Sequence, residues 1–329
     1  MYLSKTLSKT LILALVTLAP LSAYAQSIWN LLVENDVISG DDRHYTSGVA
    51  LNWVSGLDQG PAELERLGIW LPGLEPDDKM HVALSFGHEI YTPTEITDPN
   101  LIEDDRPYAG YVYLAAGFIT ENPDEVETWR LSLGLVGPGA RAEVIQNNLH
   151  RKIGSDEAQG WDHQLKNEVV GSLAYEKKWL NLGRSRLYKN GLSVDFIPHV
   201  SAAVGNLSTY VGVGGMVRVG LGLDHDYGPP RVRPNLAVSQ YYTTEPGASW
   251  YLFAGFDSRY VAHNIFLDGN NFVDSHAVDR EDFVSDLQAG FVLNHPRFRL
   301  AYHWVLRSRE FVQQEERDLY SSLSLSVHF

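Results

Sequence analysis

Most of the chain alternates apolar residues with polar or small residues at a period of two. In Trp129 to Leu135 the odd positions carry one Trp and three Leu, and Arg, Ser and Gly stand between them. The segments from Phe298 to Leu306 and from Ser322 to Phe329 alternate in the same way. A period of two is typical of β-strands with one apolar face. The pattern therefore predicts a protein built from amphipathic strands.

Twelve segments of this kind can be counted along the sequence. They lie near 27–37, 45–56, 80–91, 108–120, 126–137, 167–182, 191–206, 208–223, 249–260, 281–294, 297–310 and 319–329. An even number of strands of about ten residues is typical of transmembrane barrels of the bacterial outer membrane. The sequence thus predicts an all-β fold, a 12-stranded antiparallel barrel whose closure leaves no unpaired edge in the hydrocarbon. A soluble sandwich or lipocalin-like barrel would show the same period with its apolar face turned inward, so both architectures stay open.

Residues 1–25 have the features of a secretory signal peptide. Lys5 and Lys9 precede a short apolar run from Leu11 to Leu21, and Ala23-Tyr24-Ala25 matches an A-x-A cleavage site. The apolar run is too short for a membrane-spanning helix. We therefore expect a mature chain of residues 26–329 that forms one outer-membrane barrel domain.

The connections differ in length and polarity. If both termini are periplasmic, the first three outward connections are 38–44, 92–107 and 138–166, and all three are polar. Within the third, Ala140 to Ile153 has the spacing of a helix, and Gly154 is a helix stop. Such a helix can plug the mouth of a barrel. The inward connections 57–79, with a short helix near Glu63 to Leu67, and 224–248 are unusually long for periplasmic turns.

The composition narrows the class of protein further. The chain has no cysteine, so its stability comes from packing and sheet closure rather than from disulfides. Its formal charge is −15, and removal of the two lysines of the signal peptide makes it −17. We expect no nucleic-acid partner, because such an acidic chain lacks the cations that neutralise phosphates.

The segment from Glu34 to Gly48 joins the first two strands and is rich in oxygen and nitrogen ligands. It contains Asn35, Asp36 and Thr46 together with further carboxylates and an imidazole. Oxygen-rich clusters of this kind can hold a hard cation such as calcium. A solvated hairpin loop has similar residues, so the segment by itself leaves both interpretations open.

A histidine on the predicted helix adds a second group. On a helix, Gln146 and His150 are four residues apart and come within reach of each other. A lone helical histidine is usually structural, but His150 lies at the same predicted end of the barrel as Asn35, Asp36 and Thr46, and so does Asp156. Hydrolysis of an ester by water needs a base near neutral pH and positive charge or donors for the oxyanion. A bound cation supplies such charge.

Several blocks of the sequence resemble one family, the outer-membrane lipid A 3′-O-deacylases. The blocks are Val33 to Asp36, Asp42 to Gly48, Ile90 to Pro93, Asp105 to Gly110, Gly137-Pro138 and, most strongly, Glu143 to Gly154. The similarity extends over nearly all of the expected mature chain and is dense only in these blocks. Together and in this order they are specific.

The resemblance implies a calcium-dependent enzyme that removes the 3′-linked acyloxyacyl group of lipid A by ester hydrolysis. By motif, His150 would be the base that activates water, and Asp36 and Asp156 would help to hold Ca²⁺. Asn35, Thr46 and Gln146 would orient water or substrate. The family often has Glu where this chain has Asp156, and Glu157 is adjacent, so the identity of that ligand stays open.

One feature of the family pattern is missing. The family uses a basic residue in the second outer loop, but residues 92–104 contain no Lys or Arg, and Arg106 is the nearest substitute. The resemblance further implies a monomer in the bacterial outer membrane, with lipopolysaccharide as substrate and outer-membrane lipid around it. Two alternatives remain from the sequence. One is a phospholipase-type esterase with Ser47 and His150 as a nucleophile–base pair; the other is a pore or structural barrel without enzymatic activity.

Overall fold

The computed structural model describes residues 27–36, 44–74, 79–180, 182–188, 191–223, 227–228 and 248–328. Its strands are β1 (Ile28–Asn35), β2 (His44–Val54), β3 (Met80–Thr92), β4 (Ala109–Glu121), β5 (Glu125–Val136), β6 (Glu168–Trp179), β7 (Leu182–Arg186), β8 (Ser193–Gly205), β9 (Ser208–Leu221), β10 (Ser249–Asn264), β11 (Phe283–His295), β12 (Phe298–Arg307) and β13 (Asp318–His328). Its α-helices are α1 (Ala62–Gly68), α2 (Ala142–Ile153) and α3 (Ile265–Asp268). Short 3-10 helices cover Pro138–Ala140 and Gly160–His163.

The strands form a closed antiparallel barrel. Each strand except β6 pairs with the next along the chain, and the first strand pairs with the last, β13. Strands β6 and β7 both pair with β8, with Lys178 opposite His199 and Leu182 opposite Phe196. They are therefore two segments of one barrel position, and the thirteen segments make a barrel of twelve strands. The predicted twelve-stranded barrel is confirmed.

The side chains of the barrel are inverted relative to a soluble protein. On β5, Leu131 and Leu133 are exposed, whereas Arg130 and Ser132 are buried. On β12, Trp304 is exposed and the neighbouring His303 is buried. Apolar side chains thus face outward and polar side chains face the lumen, as in a barrel surrounded by lipid. This decides against the soluble sandwich and the lipocalin-like barrel.

The two ends of the barrel carry different connections. The loops that contain α2 and α3 lie at one end, together with the connections that follow β1, β3 and β12. We call this the outer end, because barrels of this class have longer loops outside and short turns at the periplasm. The two-residue turn between β11 and β12 lies at the opposite, periplasmic end.

Helix α3 closes the outer mouth of the lumen. Ile265, Phe266 and Leu267 are all buried, and the ring of Phe266 stacks on Tyr91 with centroids 4.0 Å apart. Phe266 also contacts Tyr111, a lumen residue of β4. The helix that occupies the mouth is thus α3, which the sequence did not predict. None of the helices in the described ranges is both long and apolar enough to cross a bilayer.

The predicted helix in the third outer loop is confirmed with a shifted start. Residues Pro138–Ala140 form a separate 3-10 turn, and Arg141 adopts a left-handed conformation with φ 62° before α2 begins. Gly154 ends the helix with φ 78°, as expected for a C-terminal glycine. The short helix predicted near Glu63 to Leu67 is also present. The predicted signal peptide, residues 37–43, Phe329 and most of 224–248 lie outside the described residues.

Candidate active site on the outer wall

The strand register places Asn35 in a row of side chains on the outer surface of the barrel. Asn35 lies opposite Ser47, Ser47 opposite Ile90, and Ile90 opposite Gly110. These positions share the outward face because residues directly opposite each other in a sheet point to the same side. The next row toward the membrane centre contains Val33, Val49 and Val112 with His88. Asn35 therefore lies directly above the apolar, lipid-facing wall.

A β-bulge in β2 positions Thr46 beside this row. The register between β2 and β3 shifts between Tyr45 and Ser47, and Thr46 is the extra residue. Its Oγ1 is 2.7 Å from Oγ1 of Thr92, and both residues are buried. The backbone carbonyl of Thr46 accepts a hydrogen bond from Asn35 Nδ2 at 2.8 Å. Bulges often re-aim side chains near functional sites, and this one fixes the Asn35 amide.

Helix α2 packs against the outside of this wall. Gly110 allows the approach, because a Cβ atom there would lie 2.5 Å from Cβ of Ala142. Ala142 joins Ile90, Tyr108 and Trp161 in one buried cluster. His88 on the outward face lies 2.9 Å from the carbonyl of Ala140 through its Nε2. The helix therefore covers the outer wall, and the suggestion that it plugs the mouth is wrong.

The buried and exposed faces of α2 are inverted in the same way as the barrel. Gln146 and His150 are 2% and 3% exposed. Val144, Ile145 and Leu149 are between 44% and 48% exposed. The outer surface of the helix thus combines these apolar side chains with exposed polar ones such as Glu143 and Arg151, and a mixed surface of this kind is suited to the boundary between lipid and water. The two polar residues predicted for catalysis are the ones enclosed beneath the helix.

The ring of His150 is held in one tautomer. Its Nδ1 lies 2.5 Å from the backbone carbonyl oxygen of Asp156. A carbonyl oxygen only accepts hydrogen bonds, so a neutral ring that makes this bond carries its proton on Nδ1. Nε2 is then the basic nitrogen. This arrangement resembles the positioning of a general base, in which a second group orients the imidazole.

The amide of Gln146 is oriented by a tryptophan. The Nε1 atom of Trp161 donates to Oε1 of Gln146 at 3.1 Å. Indole N–H is only a donor, so the amide oxygen is assigned without ambiguity. The Nε2 atom of Gln146 is buried and has no hydrogen-bond partner among the described residues. It can therefore donate to a group that enters the site.

The loop after α2 is tied back to the helix. Asn147 donates from Nδ2 to the carbonyl of Ala158 at 3.0 Å and accepts from its amide at 2.8 Å. The amide of Gln159 donates to the carbonyl of Ile96, which links this loop to the second outer loop. These bonds hold the segment around Asp156 next to His150. The position of the His150 ring is therefore set by the backbone of this loop.

Comparison with known proteins assigns the family. A family model described as outer membrane protein LpxR matches residues 11–329. The chain belongs to the LpxR family. This confirms the resemblance of the motifs, and with it an enzyme of the outer membrane, a lipid A 3′-O-deacylase and hence a carboxylic ester hydrolase. The alternative of a barrel without enzymatic activity is thereby excluded.

One solved structure shares the fold of this chain. LpxR from Salmonella typhimurium matches with a TM-score of 0.74 and 20% identity, over 92% of this chain and 100% of that chain. The beta domain of the Bordetella autotransporter BrkA matches with a TM-score of 0.44 and 10% identity, over 93% and 100% of the two chains. No curated protein matches the chain.

The residues predicted to hold a metal ion lie at two places in this site. Asp36 follows Asn35 at the end of β1 and is buried, whereas Asp156 is exposed. In the part of the chain that the structure describes, no three His, Asp or Glu side chains come close enough to share a metal ion. The neighbouring Glu157 forms an ion pair with Arg151 at 2.7 Å, and both side chains are largely exposed.

Arg106 lies on the other side of the barrel wall. It is 1% exposed, its guanidinium carbon lies 4.8 Å from the ring centroid of Tyr91, and Nη1 contacts Glu310 at 3.3 Å. Tyr91 points into the lumen, where it packs on Phe266 of α3. Arg106 therefore does not replace the missing cation of the second outer loop at the outer-wall site.

Two supporting residues were missed by sequence reasoning. Trp161, which fixes the Gln146 amide, lies in a polar loop. A large apolar residue in such a loop is unusual, and this could have marked Trp161 as a supporting residue of the site. Thr92, which bonds Thr46, is the last residue of β3, and its place in the block from Ile90 to Pro93 was the available signal.

Proposed function

We propose that the enzyme cleaves the 3′-linked acyloxyacyl ester of lipid A at the outer wall, with water activated by His150 and with bound Ca²⁺. The observation that carries the proposal is the oriented His150 ring, whose Nδ1 is held by the carbonyl of Asp156. A neutral ring that makes this bond can accept a proton at Nε2, and it lies beneath a helix that exposes Val144, Ile145 and Leu149.

The location suits a substrate that stays in the membrane. The row that contains Asn35 lies next to Val33 and Val49 of the lipid-facing wall. A lipid whose acyl chains pack along this wall can bring its ester group up to the site by lateral diffusion. A site in the lumen would require the whole lipid to leave the bilayer. The outer-wall site avoids the cost of transferring acyl chains through water.

The reaction needs one base and one acid, and His150 can serve as both. Nε2 takes a proton from water as its oxygen attacks the ester carbonyl. The resulting imidazolium then returns the proton to the departing alkoxide oxygen as the ester C–O bond breaks. The products are the acyloxyacyl chain as a carboxylic acid and lipid A with a free hydroxyl at its 3′ position. General base catalysis of this kind contributes about 10²–10⁴-fold to a rate.

Gln146 is the candidate for stabilising the oxyanion. Its Nε2 is buried and free to donate, and Trp161 prevents the amide from turning its oxygen toward the site. A donor that is oriented before the reaction stabilises developing negative charge without reorganisation. Thr46 supports the site less directly, since its carbonyl fixes the Asn35 amide.

The donor set near Asn35 fits a hard cation. Asn35 Nδ2 donates to the carbonyl of Thr46, which leaves the amide oxygen as a candidate ligand, and the next residue, Asp36, has a buried carboxylate. Asp156 is the favoured third ligand, because the carboxylate of Glu157 is paired with Arg151. Oxygen ligands from side chains, water and substrate together satisfy Ca²⁺. The ion would polarise the ester carbonyl and lower the pKa of bound water.

Two cations at the ends of α2 are candidates to meet the phosphates of the substrate. Arg141, the residue before the helix, and Lys152 in its last turn are both exposed, and Ile145 and Leu149 lie between them at spacings of four, four and three residues. The helix thus carries apolar side chains between two positive charges. It matches an anionic lipid, with acyl chains against the apolar part and phosphates near its ends.

Mass spectrometry of lipid A from cells that express the chain tests the proposal. We expect loss of the 3′-linked acyloxyacyl group with the wild type and unchanged lipid A with His150→Asn. Loss of acyl chains from phospholipids only, or activity that requires Ser47 and persists in His150→Asn, would contradict it. Migration of unboiled and boiled samples on a denaturing gel shows whether the variant barrel is folded.

A further inference from the structure

The periplasmic insertion after β2 folds against the outside of the barrel. On β3, Met80 and Val82 share the outward face with Leu84 and Phe86, because all four are an even number of residues apart and the pairing with β4 has no shift. Leu84 and Phe86 are exposed to lipid at 40% and 53%, but Met80 and Val82 are buried. Another part of the chain therefore covers the lipid-facing wall at these two positions.

The covering element is helix α1 with the turns that follow it. Phe118, directly opposite Val82 on β4, is only 1% exposed although it too faces outward. Gly68 at the end of α1 approaches so closely that a Cβ there would lie 2.8 Å from the Phe118 ring. Leu64 and Leu71 pack against the same cluster. The insertion is thus attached to the outer wall and does not extend freely into the periplasm.

The opposite side of this insertion is apolar and uncovered. Leu67 is 47% exposed, Ile69 39% and Trp70 86%. Hydrogen bonds from Trp70 N to Leu67 O and from Leu71 N to Gly68 O hold these residues in tight turns. Trp70 is therefore presented by a defined backbone. Large exposed apolar side chains that adjoin a lipid-facing wall form one continuous surface with it.

We propose that the edge formed by Leu67, Ile69 and Trp70 lies in the periplasmic leaflet of the outer membrane and binds phospholipid there. Tryptophan is enriched where hydrocarbon meets headgroups, and short helices with one apolar side lie along that interface. Arg66 is exposed one turn before Trp70, where its guanidinium can reach a lipid phosphate. Glu65 is turned away to accept from the amide of Gly60 at 2.9 Å.

The edge formed by Leu67, Ile69 and Trp70 adjoins the lipid-facing wall, which favours lipid over a protein partner. The row Val82, Phe118 and Trp129 that α1 covers lies two rows below Phe86, Leu114 and Leu133, and the latter three are the lipid-facing wall. A second copy or a periplasmic protein on the same edge would have to displace lipid from the adjoining strands. This proposal is independent of the catalytic mechanism, because the insertion lies at the end of the barrel opposite His150.

The absence of cysteine allows a direct test by spin labelling. Single variants Leu67→Cys and Trp70→Cys of the full-length protein carry a nitroxide in liposomes of phosphatidylethanolamine and phosphatidylglycerol. Collision rates with oxygen, which partitions into the bilayer, and with a water-soluble nickel chelate are then compared. Leu133→Cys on the lipid-facing wall and Asp124→Cys on an exposed periplasmic turn are the controls.

We expect the oxygen-to-nickel ratio at both insertion sites to lie near that of Leu133→Cys and above that of Asp124→Cys. The added substitution Trp70→Asp should shift the Leu67 label toward the aqueous value. Ratios equal to that of Asp124→Cys would overturn the proposal. So would spectral broadening that disappears on dilution with unlabelled protein, because it would assign the surface to a second copy.

Discussion

The lumen and the outer wall each contain a buried cluster of polar side chains near the outer end, and the two clusters differ in how their hydrogen-bonding groups are used. Arg307 lies at the centre of the lumen cluster. On the outer wall, Gln146 and His150 lie beneath α2. Both clusters contain residue types that can act in catalysis, so residue type alone does not separate them.

Around Arg307, the charged groups of the lumen pair with one another. Arg307 donates from Nε to Asp286 at 2.9 Å and from Nη2 to the hydroxyl of Tyr320 at 3.0 Å, and Nη1 is 3.5 Å from Glu310. Burial alone would raise the pKa of Glu310, but Arg307 and Arg106 outweigh it and hold the pKa below its usual value. A cluster that neutralises itself in this way stabilises the fold.

On the outer wall, one atom of each polar side chain is fixed by a hydrogen bond within the protein. Trp161 holds the oxygen of Gln146 and the carbonyl of Asp156 holds Nδ1 of His150. The amide nitrogen of Gln146 has no hydrogen-bond partner among the described residues, and Nε2 is the unprotonated nitrogen of a neutral His150 ring. We propose that side chains fixed through one atom and able to act through another make the outer-wall cluster the catalytic one.

The largest expected effect concerns the proposed Ca²⁺ of the outer-wall site. Excess chelator should reduce deacylation to background, and added Ca²⁺ should restore it, because the oxygen ligands around Asp36 lack the positive charge that the oxyanion needs. Asp156→Asn should raise the Ca²⁺ concentration required, and Glu157→Gln should not. Deacylation is measured on purified lipid A. Full activity in chelator would remove Ca²⁺ from the mechanism.

The base is the next largest contribution. His150→Ala and His150→Asn should lower the rate of deacylation by about 10²–10⁴-fold while the barrel folds normally. His163→Asn is the matched control, since this histidine lies in the same loop and is exposed. Rates come from release of free acid, and folding is followed by heat-modifiable migration. A near-normal rate for His150→Asn would reject the assignment of the base.

A smaller loss is expected for the proposed oxyanion donor. Gln146→Ala should lower kcat by about 10²–10³-fold, the usual cost of removing one such donor. Trp161→Phe keeps an aromatic side chain but replaces the indole by a smaller phenyl ring without an N–H, so it loses the hydrogen bond that orients the amide. We expect that change to cost about 0.5–1.5 kcal/mol, or roughly tenfold at most. Equal losses in both variants would mean that Gln146 acts only through packing.

Substitution of Arg307 tests whether the lumen cluster serves stability rather than catalysis. Arg307→Ala should lower the free energy of unfolding by about 3–5 kcal/mol, because it leaves buried carboxylates without their partner. The rate per folded molecule should change little. Arg309→Ala, which removes an exposed pair with Glu281, should cost about 0–1 kcal/mol. Denaturant unfolding in detergent gives both values, and a loss of rate without a loss of stability in Arg307→Ala would contradict the division between the clusters.

The sequence predicted individual strands and helices well. The alternation from Trp129 to Leu135 predicted a strand, and the structure places Arg130 in the lumen and Leu133 toward lipid. The helix ending at Gly154 was predicted almost residue by residue, because its spacing and its stop are local signals. Its start was two residues too early, since the 3-10 turn before Ala142 has no clear sequence signature.

The position of α2 on the barrel could not be predicted. It depends on the close approach of Ala142 to Gly110 and on packing of Ile90 against Trp161, contacts between residues far apart in the chain. The same limitation applies to the lumen. Its mouth is closed by Phe266 of α3 and not by α2, the helix for which the sequence suggested that role. Periodicity does not encode which element fills a given space.

The sequence by itself determined the number of barrel strands, the helix of the third outer loop and, through its motifs, the family and the residues to inspect. Only the tertiary structure decided that the apolar strand faces point outward, that Asn35 and Ile90 share one row on the outer wall, and that His150 is enclosed beneath α2. The physical reason is that hydrophobic period and turn residues act over a few neighbouring positions. The orientation of a catalytic side chain is set instead by hydrogen bonds and packing across the sheet and between loops.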